Sequence, residues 1–328
     1  MGGWEPVIDP SSALGARASA SLEKITAEVI ANGGLDGALL LAFRGAAERN
    51  RAWLNRAVDH LNAAIGGADA LYSMKRFELF GGLAGLGWTI GYVMRLLERT
   101  QGVGLLNEDI DAALLQELQR GRWTGPYGLA TGLAGIGVYF RQGLPDPKAK
   151  FGLELVRAHL EDAAKRSPDF GGAGVAEGAA GVLCLIEQAV VEGRTNGRRP
   201  CSWWDGELGV AGLVLERAAE RPAWARDAVE RCLSWAPKQE EDASLVRGAA
   251  GTAHLWNRIY GWTGDARCQE ASVRWWERAI TLHETATPAV DAAGAPFLAG
   301  AAGVGLALSA ALMPFGPEWD VALGLSAA

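Results

Sequence analysis

Seven times along this 328-residue chain the pattern G-x-x-G opens an apolar run, and that recurrence limits the fold more than any other feature. The pairs are Gly34–Gly37, Gly82–Gly85, Gly132–Gly135, Gly178–Gly181, Gly206–Gly209, Gly248–Gly251 and Gly300–Gly303. Runs such as GLAGLGWTI and GAAGVGLALSAAL are apolar nearly all round, as a buried helix is. Between most copies lies a different kind of segment: SLEKITAEVI (21–30), NRAWLNRAVDHLNAAI (50–65), NEDIDAALLQELQRG (107–121), PKAKFGLELVRAHLEDAAKRS (147–167), AWARDAVERCLSWAPK (223–238) and DARCQEASVRWWERAITLHE (265–284). These have charged and apolar positions at helical spacing, hence one wet face each.

A dry helix alternating with a wet one predicts two concentric layers, and a closed ring buries the dry helices better than an open solenoid does. The expected fold is therefore all-α: an α/α toroid of seven repeats. Residues 1–328 read as one domain, with 1–20 as an N-terminal extension. Successive first glycines are 48, 50, 46, 28, 42 and 52 residues apart. The gap of 28, between Gly178 and Gly206, is too short for an inner helix, an outer helix and two loops. One outer helix is expected to be missing there, leaving thirteen main helices and a thin flank at 193–204 for a partner to cover.

The inner helices are expected to start at one end of the ring, where glycines allow close approach. Their unpaired N–H groups and positive dipole ends are expected to form an anion trap for a carboxylate, phosphate or thiolate. The residues just before each first glycine then border the mouth: Gly33, Gly81, Thr131, Glu177, Asp205, Arg247 and Ala299. Thr131, Glu177, Asp205 and Arg247 form one polar arc. They read either as helix caps with an ion pair or as a functional cluster. Arg247 suits a cap badly, because its charge opposes the dipole, and suits pairing with Glu177 or Asp205. Trp203 and Trp204 line a channel or plug the ring. His254, alone among the four histidines in sitting on an inner run, reads as a satisfied core residue or a substrate contact.

The net charge of −7 without a basic block argues against a nucleic-acid partner. FLAGAAGVGLALSAALMPFG (297–316) is twenty residues without a charge, but it holds Pro314 and belongs to the repeat, so a buried core helix is expected and no membrane association. Cys184, Cys201, Cys232 and Cys268 form no C-x-x-C pair and no signal peptide opens the chain, so a reduced cytoplasmic protein with buried thiols is expected.

With GGLAGLGW, GLATGLAGIGVYF, GVAEGAAGV, SWWDGELGV, LVRGAAG and FLAGAAGVGLAL in order, residues 30–312 resemble the lanthionine synthetase C family, the peptide cyclases of lanthipeptide biosynthesis and their relatives. The resemblance implies an α/α toroid of seven helix pairs. It also implies addition of a cysteine thiol to a dehydroalanine or dehydrobutyrine of a precursor peptide, activated by zinc on two cysteines and a histidine. The family's fifth repeat reads W-C-Y-G and its sixth C-H-G. Here Trp203 keeps the tryptophan, Trp204 and Asp205 replace Cys and Tyr, and Val246 and Arg247 replace Cys and His. Glu177 stands where the family has a histidine, Gly128 follows Tyr127 where it has an acid, and Pro200, beside Arg199, stands where it has an arginine. The resemblance therefore implies a degenerate member without the zinc ligands. Cys184, Cys201 and His254 offer no substitute set, and neither a metal nor any other cofactor is expected.

Two functions follow for a partner that is a modified precursor peptide. One is a zinc-independent cyclase with Glu177, Asp205 and Arg247 as catalytic residues, and Thr131, Tyr127, Trp203, Trp204 and His254 as substrate contacts. Arg247 lowers the thiol pKa, one acid takes the proton, and the other acid or Thr131 delivers one. The alternative is a non-catalytic peptide-binding scaffold working with a dehydratase or another peptide-modifying enzyme. A carboxylate-dependent hydrolase in an α/α barrel is a weaker third.

Overall fold

In a computed structural model, residues 4–98, 107–166, 170, 172–185, 201–217, 221–236, 242–285, 298 and 300–325 are described, the side chain of Cys184 excepted. Among them every regular element is helical. The glycine-led runs form α2 (Leu35–Ala47), α5 (Leu83–Leu96), α7 (Leu133–Gln142), α9 (Ala179–Leu185), α10 (Glu207–Arg217), α12 (Ala249–Thr263) and α14 (Ala301–Leu312). The wet segments form α1 (Ala13–Asn32), α3 (Arg51–Ile65), α6 (Glu108–Gln119), α8 (Pro147–Arg166), α11 (Ala223–Leu233) and α13 (Ala266–Thr285). A short α4 (Ala68–Ser73) follows α3, and a 3-10 helix spans Glu318–Leu323.

The inner helices touch in order, α2 to α5, α7, α9, α10, α12 and α14, and α14 packs back on α2, which closes the ring. Outer helices pack on the inner helix before them, as α3 does on α2, α8 on α7, α11 on α10 and α13 on α12, while α1 lies against α14 and α13. Burial follows the pattern of the sequence. In α2 the run Ala38–Phe43 is fully buried, whereas α3 buries Leu54, Ala57, His60 and Leu61 on one face. The outer helix α1 begins at Ala13, not at residue 21, because the Ser12 hydroxyl caps it by accepting the Gly15 N–H at 2.9 Å. The segment expected to lack an outer helix, 186–200, lies outside the described residues. The uncharged run 297–316 yields the buried twelve-residue α14, and no helix among the described residues is long and apolar enough to cross a membrane.

At Gly37 the nearest atoms are His60 Nδ1 and Val29 Cγ1, both 2.9 Å from a Cβ there, but in the later motifs the second glycine answers mainly to its own lead. A Cβ on Gly85 would lie 1.9 Å from the Leu79 carbonyl oxygen, and one on Gly251 1.8 Å from that of Leu245. The loop before each of these later inner helices curls back over the first turn, and only a missing side chain lets it pass. The neighbouring repeat presses on the same spot, with the Leu79 Cβ 2.7 Å from such an atom on Gly135.

That curl corrects the expected anion trap. The N–H of Leu83 donates to the Arg76 carbonyl at 2.8 Å, Leu133 to Pro126 at 3.0 Å, Ala179 to Gly172 at 2.7 Å and Ala249 to Asp242 at 2.9 Å. In each case the acceptor lies seven residues earlier. First-turn donors of these helices are thus spent on their own loops and do not face the mouth unpaired.

At the far end the chain fills its own ring. Trp4 Nε1 donates to the Ala310 carbonyl at 2.7 Å, so the N-terminal segment lies on the end of α14. The 3-10 helix enters the interior, where Trp319 and Asp320 are fully buried. Asp320 accepts from Arg258 Nε at 2.6 Å and Arg258 Nη2 at 2.8 Å, and pairs with His254 Nε2 at 2.8 Å. The axis is a plugged core.

Candidate functional site

A row of backbone hydrogen bonds builds the mouth. The Phe80 N–H donates to the Ala130 carbonyl at 2.9 Å, Ala130 to Ala176 at 2.9 Å, and Ala176 to Trp204 at 3.1 Å. These residues each stand two places before a first glycine. Four consecutive loops are therefore stitched edge to edge, and Thr131, Glu177 and Asp205 follow one another along that rim.

The Thr131 hydroxyl donates to Glu177 Oε2 at 2.7 Å, while Glu177 Oε1 is buried with no hydrogen-bond partner among the described residues. Burial pushes the Glu177 carboxyl above its ordinary value, opposed by the Thr131 hydrogen bond and by the charge of Arg247. Gly128 makes room for it. A Cβ there would lie 2.6 Å from both the Glu177 Cα and Oε2. The position where the resembled family carries an acid is thus glycine because the carboxylate of the next repeat occupies that space.

Arg247 lies over the Trp204 ring, its guanidinium carbon 4.0 Å from the centroid. The Arg247 N–H donates to Ser244 Oγ at 3.3 Å, and Asp242 Oδ1 accepts from Ser244 N–H at 2.8 Å and Oγ at 2.5 Å, which fixes the loop. Trp204 is half-buried, and its N–H donates to Ser202 Oγ at 3.0 Å. Beneath it Phe80 stacks on Trp203 with centroids 6.1 Å apart, and both meet Trp204 edge-on at 6.4 and 6.0 Å. The mouth thus has an aromatic floor, a carboxyl raised by burial, a hydroxyl and a guanidinium. Asp205 and Thr131 are exposed at the rim.

Three expected substrate contacts are placed differently. Trp203 is 1% exposed and donates from Nε1 to the Leu323 carbonyl at 2.8 Å, so it joins the floor to the C-terminal plug. His254 is 1% exposed, paired with Asp320 and stacked on Trp319 at 4.8 Å. It faces the plug because its inner-helix position points into the filled axis, and burial holds its pKa below the ordinary value. Tyr127 donates to the Trp123 carbonyl at 3.3 Å and meets Phe170 edge-on at 5.7 Å, which engages it with its own loop and with the chain leading to the next repeat. Sequence reasoning did not single out Ser202, Ser244 or Asp320. Phe80 was legible as the residue two places before Gly82.

The residues do not fit a zinc ion. An indole and a guanidinium offer no lone pair to a metal. Cys201, Cys232 and Cys268 are buried, and the described residues contain no group of three or more His, Cys, Asp or Glu able to hold an ion. Burial pushes the Cys268 thiol up to about 11. Cys184, Arg199 and Pro200 fall outside what is described.

No family model matches the chain, and a search of curated protein sequences gives no match. Among solved structures, nisin cyclase superposes with a TM-score of 0.68 at 15% identity, over 94% of this chain and 97% of its own. The chain is similar to that protein in fold, a helical toroid.

Proposed function

We propose that the mouth handles a modified precursor peptide and adds a cysteine thiol to a dehydroamino acid without a metal. The observation that carries the reading is the convergence of Glu177, its carboxyl raised by burial and still within reach of the Arg247 charge, with Thr131 on one rim. A base with an elevated pKa suits a thiol better than an ordinary carboxylate does. In this reading Glu177 takes the thiol proton and the thiolate sulfur bonds to the β carbon of dehydroalanine. The π pair moves onto the carbonyl as an enolate facing Arg247. A proton returned by Glu177, or by the exposed Asp205, to the α carbon completes an addition that needs no oxidant or reductant. Arg247 acts as the fixed positive charge at the site. Trp204 lies under the guanidinium, a contact worth about 0.5–1 kcal/mol at an exposed position.

The test is incubation of a dehydrated, cysteine-containing precursor with the protein and a chelator, followed by thiol alkylation and mass spectrometry. Loss of alkylation sites, abolished by Glu177→Ala or Arg247→Ala in variants that keep their helical signal, is the expected result. The scaffold alternative has its own support in Trp204 and Arg247, which fill the positions of the expected ligands with a stacked pair. Tight peptide binding with every thiol still alkylated selects it.

A further inference from the structure

Two clefts meet along α6. The first, about 410 Å³, lies between α4 and the front of α6 and is lined by Asp69, Tyr72, Asp109, Ile110, Ala113 and Gln116. The second, about 380 Å³, lies between the chain after α4 and the loop after α6, and Lys75, Phe77, Arg120, Trp123, Thr131 and Ile136 face it. Gln116 and Glu117 are successive residues of α6, one in each cleft, and the Tyr72 hydroxyl donates to Gln116 Oε1 at 3.0 Å. That bond joins α4 to α6 where the two clefts adjoin, and together they run as a furrow in two parts along α6. The furrow ends at Thr131, whose hydroxyl is bonded to Glu177.

Charge along the furrow is sorted. At the outer end Asp69 and Asp109 are exposed, and neither has an ion pair among the described residues. In the mouth-side cleft the acids are already engaged, Glu78 by Arg76 at 2.8 Å and Glu117 by Arg120 at 2.6 Å, while Lys75 is exposed with no ion-pair partner among the described residues. Arg122 adds a further cation, reaching Asp162 only at 3.9 Å. In a chain of net charge −7, the end beside the mouth carries a positive excess. Phe77, Trp123 and Ile136 supply apolar wall between the charges.

We propose that this furrow binds an extended peptide segment as a dipole, with basic side chains toward Asp69 and Asp109 and acidic ones toward Lys75 and Arg122. The chain beyond the acidic end is thereby delivered to Thr131 and Glu177. The proposal rests on the reading of the mouth as a peptide-handling site, and names how that peptide is recognised. From Asp109 to Arg120 the helix rises about 16 Å, the reach of about five extended residues.

The test is fluorescence anisotropy with three nine-residue fluorescein-labelled peptides sharing a five-residue spacer of alanine, glycine and phenylalanine. One carries two lysines at one end and two aspartates at the other, one lysines at both ends, one aspartates at both. At low salt the dipolar peptide is expected to bind about ten-fold more tightly than either of the others, and the preference is expected to collapse in 0.5 M NaCl. Lys75→Glu is expected to weaken it about three- to ten-fold and to transfer the preference to the all-lysine peptide, and Asp109→Lys to the all-aspartate one. Equal binding of the three peptides, or charge reversals that leave the preference unchanged, overturns the proposal. Anisotropy does not depend on turnover. A charge preference that swaps in the variants, with no cyclisation of the dehydrated precursor, keeps the furrow and removes the catalytic reading. Cyclisation with no charge preference does the reverse.

Discussion

Two glycines of one helix make opposite predictions. Gly251 and Gly261 both lie in α12. An alanine Cβ at 251 would sit 1.8 Å from the Leu245 carbonyl oxygen, where ordinary contact begins at 3.4 Å, so the loop would have to retreat by more than 1 Å. The obstacle is backbone, and Leu245 is fully buried, so no rotamer change relieves it. The expected cost exceeds the usual overpacking range and is about 3 kcal/mol or more. At Gly261 nothing lies within 4 Å and the position is exposed, so alanine is expected to stabilise the helix by about 0.8–1 kcal/mol. At about 2.1 cal/mol/K per residue, a chain of this size loses about 1.5 °C of Tm per kcal/mol. Gly251→Ala should then fall by about 4 °C or more and Gly261→Ala rise by about 1 °C, measured by circular dichroism on heating. Because Leu245 lies two residues before Arg247, Gly251→Ala should also change Trp204 fluorescence. A Gly251→Ala protein that melts with the wild type would refute the folded-back loop and, with it, the placement of Arg247.

Glu177→Gln is expected to cut cyclisation about 10²- to 10⁴-fold, read by thiol alkylation, with Tm held or raised. Burial lifts the Glu177 pKa in the fold, so the folded state binds that proton more tightly and the ionised form costs stability as pH rises through the window; glutamine removes that cost. For the same reason activity should fail on acidification through a value above that of an ordinary glutamate, and a profile flat into the usual carboxylate range counts against Glu177 as base. Asp320→Ala should destabilise by about 3–5 kcal/mol in urea titrations by taking the acid from buried His254 and partly buried Arg258. The Asp320 pKa is held low by Arg258 and His254 against its burial, and burial depresses that of His254, so both contributions are present at neutral pH. They are lost on acidification, first below 6.5 as the unfolded histidine takes a proton and then through the depressed Asp320 value. Asp320→Ala should flatten the acid limb of the stability curve.

The ring was legible because its cause is periodic. A glycine pair before each apolar run is a local, repeated constraint, and SLEKITAEVI or NRAWLNRAVDHLNAAI shows its wet face in a single pass. The rim was legible for the same reason, since a fixed offset from the first glycine put Thr131, Glu177 and Asp205 in register. What escaped was aperiodic. Nothing local marks Glu318–Leu323 as a plug, because its burial comes from Arg258 and His254 more than sixty positions earlier. Trp203 and His254 were left between a structural role and a substrate contact since their own positions point inward, and only the plug decides what inward contains. The anion trap failed because a count of orphan N–H groups assumes helices without structured leads. Here the leads themselves supply the carbonyls, as Arg76 does for Leu83.

The seam where α14 meets α2 and α1 differs from every other junction between inner helices. Elsewhere neighbours in space are neighbours in the chain, whereas here the Trp4 indole reaches across 306 positions to Ala310. A growing chain can therefore lay down an arc unit by unit, but each arc ends in two bare, oily flanks. Only the arrival of Ala301–Leu312 covers both at once. Such long-range closure slows folding and leaves intermediates prone to sticking to one another. Weakening the seam should show itself as aggregation during refolding well before it registers as a lower melting point.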